Sequence, residues 1–430
     1  MKLLFIITLL VGNALFALPF TLIKKENTPQ QSLTLLVIGG IHGNEPGSYF
    51  AASLLSQYYK IKTGNVWIIP DLNRPSIQHN SRGINGDMNR KFLEIDPNDP
   101  DYKTVREIQK IITEPQIGLI LNLHDGHGFY RKEYQNTIFN PNAWGQTCVI
   151  DQGVLNHTHP FGNLNEIAIK VSQSLNRGLI ENHHYFDVRN TNTRFDDEAM
   201  KHSLTYFAVI NNKPAFAIET SKNLPTLQSK VLYQLRAIEE YMKIMGIEFE
   251  SSLELTPEHI EKLLHDYGYL TINDNFYLSL NHLKNSLSFI PLQSVNNDFK
   301  FTHALGSIRQ NGSNFDLFIG SQKISTFYPS YHEKEPFLPL ATLKIDGETK
   351  TLKLATDFFV NADFTVINHD PNVRVNIIGF TKKRVKDESN IRISLNTLDS
   401  KYAVDTLHKS YRIEFYRQDR FFGMLLVHFK

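Results

Sequence analysis

One cysteine, Cys148, stands in 430 residues. No disulfide can therefore close within the chain, and a cysteine-built zinc cluster is excluded as well. Cys148 reads as a small buried residue rather than a nucleophile. A charge excess is also missing: 45 Lys plus Arg meet 44 Asp plus Glu, for a formal net charge of +1. Such a balance draws neither nucleic acid nor an anionic membrane surface, and no basic run supplies a local patch. Internal repeats and low-complexity tracts are absent. After the N-terminus no apolar run approaches the length of a bilayer crossing, so a mature protein without a stable membrane span is expected.

What is present begins with MKLLFIITLLVGNALFA: one lysine, an apolar stretch, then small residues. That is the pattern of a signal peptide over residues 1–17, cleaved after Ala17, and it predicts export. An exported protein that manages without disulfides suits a bacterial periplasm.

The chain is too long for one ordinary domain. LTLLVI (33–38), VWII (66–69), GLILNL (118–123) and AFAIE (215–219) are continuous apolar runs, the form of strands covered on both faces. Helical patterns lie between them at Ser48–Lys60, Lys103–Ile112 and Asn163–Leu175. A further helix opens at Thr226, its apolar stripe formed by Val231, Leu235, Ile238 and Met242, and ends at Gly246. These elements predict an α/β catalytic domain over 18–250, a mixed sheet with helices on both faces.

The pattern then changes. After a short helix with Thr256 as N-cap and Pro257 in its first turn, period-two alternation takes over from Tyr267. Asp346-Gly347 between alternating runs marks a hairpin. One or two all-β domains are expected, divided as a small barrel-like one over 251–337 and a sandwich-like one over 338–430, with the break near Pro336–Pro339.

Four segments carry chemistry. GGIHGNEP (39–46) follows the first strand and sets His42 three residues before Glu45. Gly39, Gly40 and Gly43 allow close backbone approach. An HxxE pair alone occurs often by accident. LNLHDGHG (121–128) adds His124 at the end of another buried strand, with His127 as competitor and Asp125 as either a supporting carboxylate or a turn residue. Ligands at the carboxyl ends of two strands in one open sheet face the same crevice. Two imidazoles and a carboxylate leave one tetrahedral position to water, the catalytic zinc pattern, and one Zn2+ ion is expected on His42, Glu45 and His124. NSRGINGDMNRKF (80–92) offers Arg82, Asn89 and Arg90, a donor set able to hold a carboxylate. PAFAIETS (214–221) delivers Glu219 at a strand end, where a carboxylate is costly unless paired or used.

Together and in this order, the four segments resemble the zinc metallocarboxypeptidase family. More narrowly, the whole chain is similar to the DL-carboxypeptidases that trim peptidoglycan stem peptides and set helical cell shape. The resemblance implies Glu219 as general base, Arg82 as partner of the oxyanion, and Asn89 with Arg90 as the clamp on the terminal carboxylate. It also implies a muropeptide tripeptide as substrate, cut between γ-D-glutamate and meso-diaminopimelate. Arg131, Lys132, Arg189, Arg194 and Asp196 are candidates for reading the diamino acid, and Trp144 and Tyr134 for lining the groove. One group of cell-shape enzymes has glutamine at the first metal position, where this chain has His42. The mobile tyrosine of digestive relatives has only Tyr206 as a counterpart, at short spacing from Glu219.

Two other readings stand beside this one: a desuccinylase- or aspartoacylase-like deacylase, which shares the GGIHGNEP opening, and a non-catalytic wall-binding scaffold. His157, His159, His183, His184 and His202 lack carboxylates at ligand spacing and read as loop histidines. The β domains offer a surface for the cell wall or a protein partner.

Overall fold

The computed structural model describes residues 18–28, 32–155, 159–333 and 340–430; the signal-peptide segment, His157 and the expected break at 336–339 lie outside the described residues. Seven strands form the central sheet, in the order Ile23–Glu26, Asn65–Ile69, Thr34–Ile38, Ile117–Gly126, Ala215–Ser221, Thr147–Ile150 and Asp187–Asn190. The first and sixth run antiparallel to their inner neighbours, and the middle of the sheet is parallel. Every residue of Thr34–Ile38, Asn65–Ile69 and Ile117–Gly126 is buried. Their apolar runs therefore satisfy helices above and below. Pro46–Tyr58 and Leu227–Ile244 pack together against the sheet, and Tyr102–Thr113 and Leu204–Ile210 also meet its central strands.

The expected helix from Ser48 to Lys60 starts two residues earlier and ends at Tyr58. Tyr59–Thr63 is instead a strand, paired antiparallel with Glu248–Ser251. Tertiary pairing there overrides helical periodicity. Thr226, Asn163 and Thr256 each accept a hydrogen bond from a first-turn N–H and cap their helices. Gly246 ends its helix with φ +70°, a left-handed conformation that glycine adopts freely.

Beyond residue 265 the chain is β-structured. A three-stranded and a four-stranded sheet form the central part, and two four-stranded sheets form the C-terminal part. The Asp346-Gly347 hairpin is present, with φ +48° and +92° at its two turn residues. The C-terminal sheets enclose their own apolar cluster, including Leu343, Val360, Val375, Ile413 and Val427. The central part instead shares one continuous core with the α/β region. Among the described residues no helix is long and apolar enough to cross a membrane.

Candidate active site

The sheet register sets the site. Ala215–Ser221 pairs parallel with Ile117–Gly126, and Glu219 stands directly opposite His124. Thr34–Ile38 flanks Ile117–Gly126 on its other side, so the turn after Ile38 brings His42 and Glu45 over the same strand ends. That turn must come close to its neighbours: a Cβ on Gly43 would collide with the carbonyl of Ser76. A Cβ on Gly47 would likewise strike Asp125, whose Oδ2 accepts the Gly47 N–H at 2.8 Å. Asp125 is thus a supporting carboxylate rather than a solvated turn residue, and its own N–H donates to Glu45 Oε2. It is buried, it holds the start of the helix Pro46–Tyr58, and burial pushes its pKa up to about 6.

His42, Glu45 and His124 are all buried, and one donor atom from each lies within 4.8 Å of the others. Glu45 Oε2 is 3.0 Å from His124 Nδ1, and Glu45 Oε1 is 3.1 Å from His42 Nδ1. The far nitrogen of His42, Nε2, meets Asp87 Oδ1 at 2.8 Å, the carboxylate–histidine arrangement that orients a metal ligand. His42 Nδ1 has no hydrogen-bond partner although it is buried. A dry ring nitrogen facing a carboxylate and a second imidazole is what a divalent ion satisfies, so the residues present fit a metal. The Gln234 side chain, from the helix Leu227–Ile244, donates to the carbonyl of His124 at 2.7 Å and fixes that strand end.

Electrostatics follow the geometry. Burial lowers the His42 pKa, but Glu45 and Asp87 outweigh it and raise the group to about 9. Burial alone would raise Glu45; the two histidines hold it well below the usual carboxylate range. Burial likewise pushes Asp87 up, and its bond to His42, with Arg82 and Arg90 nearby, holds it low. Glu219 goes the other way: burial and the charge of Glu45 lift it to about 8.

The cleft, about 310 Å³, is lined by His42, Glu45, His124, Asp125 and Glu219 together with Arg82, Asn89, Arg90, His127, Trp144, Met200 and Lys222. Arg82 reaches Asp87 at 2.9 Å and Glu45 at 3.3 Å. Asn89 Oδ1 accepts the Leu204 N–H at 2.9 Å, which fixes the side chain where it lines the cleft.

Comparison with known proteins decides the family. A family described as the catalytic part of carboxypeptidases controlling helical cell shape matches residues 1–265, and a family described as the C-terminal domain of metallo-carboxypeptidases matches residues 337–430. The chain belongs to this family. Among solved structures, cell shape determinant protein Csd4 from Helicobacter pylori is 33% identical over 96% of this chain and 100% of its own, with a TM-score of 0.89, in both its apo and tripeptide-bound forms. Its mDAP-bound form, described as a D,L-carboxypeptidase, matches with the same identity and score over 95% of this chain. No curated protein matches the sequence. The chain is thus a metallocarboxypeptidase, and the family implies a metal ion.

Within this carboxypeptidase the seven residues singled out in the sequence line one cleft. His127 shares it but is exposed and outside the ligand group. Of the candidates for reading the diamino acid, Arg189 comes nearest, stacked 3.8 Å over Trp144. Arg131 is buried, donating to the carbonyls of Tyr130 and His183 and stacking on Tyr185. Lys132 faces Asp187, Arg194 lies by Phe195, and Asp196 accepts from Asn192. Tyr134 is exposed and, like Tyr206, does not line the cleft. Three partners of the ligand residues carried no sequence signal: Asp87 on His42, Gln234 on the carbonyl of His124, and Lys222, whose Nζ is 3.3 Å from Glu45.

One expectation is corrected. His183 and His184 do have a carboxylate in reach, because the tight turn Asn182–His184 brings Glu181 into a three-residue group with them. That group serves packing. His184 Nδ1 meets the Tyr233 hydroxyl at 3.1 Å, and its ring stacks on Phe129.

Proposed function

We propose that the chain is an exported, zinc-dependent DL-carboxypeptidase of the periplasm that trims peptidoglycan stem peptides. It releases terminal meso-diaminopimelate from the tripeptide and leaves the dipeptide. The observation that carries this is the buried convergence of His42, Glu45 and His124 beside Glu219, which the sheet register holds opposite His124. Two imidazoles and one carboxylate are the donor set of a catalytic zinc. The diamino acid is supported by the likeness to the H. pylori enzyme in its mDAP-bound form. We also read the chain as a signal peptide over 1–17, a catalytic domain over 18–250 and β domains over 251–337 and 338–430.

A zinc ion on His42, Glu45 and His124 would supply Lewis acidity toward the scissile carbonyl and the attacking water. Glu219, held opposite His124, would take the water proton and pass it to the departing nitrogen, and a cation on the neighbouring ligands would favour its ionised form. Arg82 lies beside Glu45, where negative charge develops on the carbonyl oxygen; a donor so placed contributes about 2.7–4 kcal/mol to the barrier reduction. Lys222, equally close to Glu45, adds a second cation at the same edge. Asn89 and Arg90 hold the terminal carboxylate and so restrict cutting to the chain end.

The test is mass spectrometry of purified peptidoglycan digested with the protein, with and without a chelator. Chelator-sensitive conversion of tripeptide to dipeptide is expected. Unchanged muropeptides, or activity on N-acyl amino acids alone, would overturn the reading.

A further inference from the structure

The loop that carries Arg82 is open to solvent: the Arg82 side chain is 46% exposed and Ile84 44%. A donor that must meet a developing charge needs a fixed position, and an exposed loop does not supply one by itself. A short helix behind the loop, Arg74–Gln78, does. Ser76 lies at its centre and is fully buried. Its carbonyl accepts the Ser81 N–H at 3.0 Å, and its hydroxyl accepts the Ile84 N–H at 3.1 Å. One residue thus grips the loop on both sides of Arg82. Beyond Ile84 the loop is tied to Asp101 through Asn85, at 3.0 Å.

The Ser76 carbonyl is also the atom that leaves no room for a Cβ on Gly43. Ser76 therefore stands between the turn bearing His42 and Glu45 and the loop bearing Arg82, and its place sets one against the other.

Five residues cannot hold a helical turn alone. One end of Arg74–Gln78 is fixed from the ligand turn. The Asn73 N–H donates to the Gly40 carbonyl at 2.9 Å, and Asn73 Oδ1 accepts the Ser76 N–H at 3.3 Å. The other end is fixed from the central β part. Gln78 Nε2 donates to the buried Ser307 Oγ at 2.8 Å, and Arg309 Nη1 donates to the Gln78 carbonyl at 3.5 Å. Ser307 and Arg309 lie on the strand Gly306–Asn311, which pairs along its length with Asn314–Ile319. Arg309 is itself steadied by the Phe318 ring, 4.7 Å away. A second tie joins the same sheet to the helix that follows Glu45: the Tyr49 hydroxyl donates to Ser321 Oγ at 3.0 Å. A separate module would meet its neighbour across a polar, movable surface; here the two regions share one continuous core.

We propose that Ser76 is a positioning residue for Arg82 and that the strand Gly306–Asn311 braces it through Gln78, which makes the central β part a component of the catalytic unit. The role of Arg82 in this rests on the proposed function; the path of contacts from Ser307 to Ile84 does not.

Two measurements on the whole mature, metal-loaded chain test it. Hydrogen exchange of the segment 80–86, read by mass spectrometry, needs no substrate. Ser76→Ala should speed it about tenfold, and Ser307→Ala about two- to tenfold, the worth of one hydrogen bond. Tripeptide hydrolysis reads the chemistry. Ser76→Ala should lower kcat about 10–100-fold with KM and metal content unchanged, because a displaced Arg82 fails the transition state and not the bound ground state. Ser307→Ala should lower kcat about two- to tenfold in the same manner. In an Arg82→Ala background neither substitution should cost kcat anything further, since the path ends at Arg82. Losses that simply add in that background would mark general loosening and overturn the proposal. Unchanged exchange in Ser76→Ala, or effects confined to Ser76→Ala and absent from Ser307→Ala, overturn it too. Turnover lost in Arg82→Ala but normal in Ser76→Ala would sink only this inference. Normal turnover in Arg82→Ala beside quickened exchange would sink the role given to Arg82 and leave the brace standing.

Discussion

The α/β region holds two groups of histidine and carboxylate that are nearly identical in composition. His42, Glu45 and His124 bring their donor atoms within 4.8 Å of one another, and so do Glu181, His183 and His184. They differ in what the rest of the fold does with the ring nitrogens. In the first group all three residues are buried, one nitrogen of His42 is held by Asp87, and the other is left dry. In the second, Glu181 and His183 are exposed, and the buried His184 already has the Tyr233 hydroxyl on Nδ1 and Phe129 against its ring. Proximity of ligand-type side chains is therefore a weak criterion. A buried donor atom that the protein itself leaves unsatisfied is a strong one, because its desolvation is offset only when something binds.

The largest effect expected from the first group is on turnover. Glu219→Gln removes the proton acceptor opposite His124, so kcat should fall about 10²–10⁴-fold while one ion per chain is retained. Elemental analysis beside a stopped assay reads both, and near-normal turnover would take Glu219 out of the reaction. Asp87→Asn should come next. It loosens the hold on His42 Nε2 and should weaken metal affinity about 10–100-fold, read by competition with a chelator; unaltered affinity would make Asp87 a bystander.

A smaller effect is a proton count. With His42 raised to about 9, its imidazole carries a proton at pH 7 in the metal-free protein, whereas a ligand imidazole must be neutral. Metal binding at pH 7 should release about one proton from this group, and fewer as pH rises past about 9, so affinity climbs with pH up to that point. Calorimetry in buffers of different ionisation heat measures the count. A pH-independent count of zero would contradict the assignment of His42.

What the sequence could and could not reveal follows from range. Thr34–Ile38, Asn65–Ile69, Ile117–Gly126 and Ala215–Ser221 announce themselves by their apolar runs, and His124 and Glu219 sit on two of them, so their positions could be read locally. The last two strands on one side of the sheet, Thr147–Ile150 and Asp187–Asn190, are four residues each, too short for periodicity to speak. Asp87 and His42 are 45 positions apart, His124 and Gln234 110, and Glu45 and Lys222 177. Such contacts exist only once the sheet has assembled. The turn that folds Glu181 back on His183 and His184 leaves no periodic trace, because a 3-10 turn closes the group in steps of two and three.

That second group supplies the subtlest expected outcome, which is no change. Glu181→Gln removes the only carboxylate of the group, and its ion pair with His183, 3.2 Å apart, joins two exposed side chains. Exposed pairs of this kind contribute only about 0–1 kcal/mol. The His184 ring would still stack on Phe129 and still meet Tyr233. Arg131 would still donate to the His183 carbonyl, and the turn should hold. Metal content should therefore stay at one ion per chain, with affinity and Tm as in the unaltered protein. If the substitution instead removed a second, weaker ion, seen as a lost step in a zinc titration, the dry-nitrogen criterion would be too narrow. His184 would then have to give up Tyr233 to become a ligand, and the buried side of the pair could no longer be told from the exposed one by satisfaction alone.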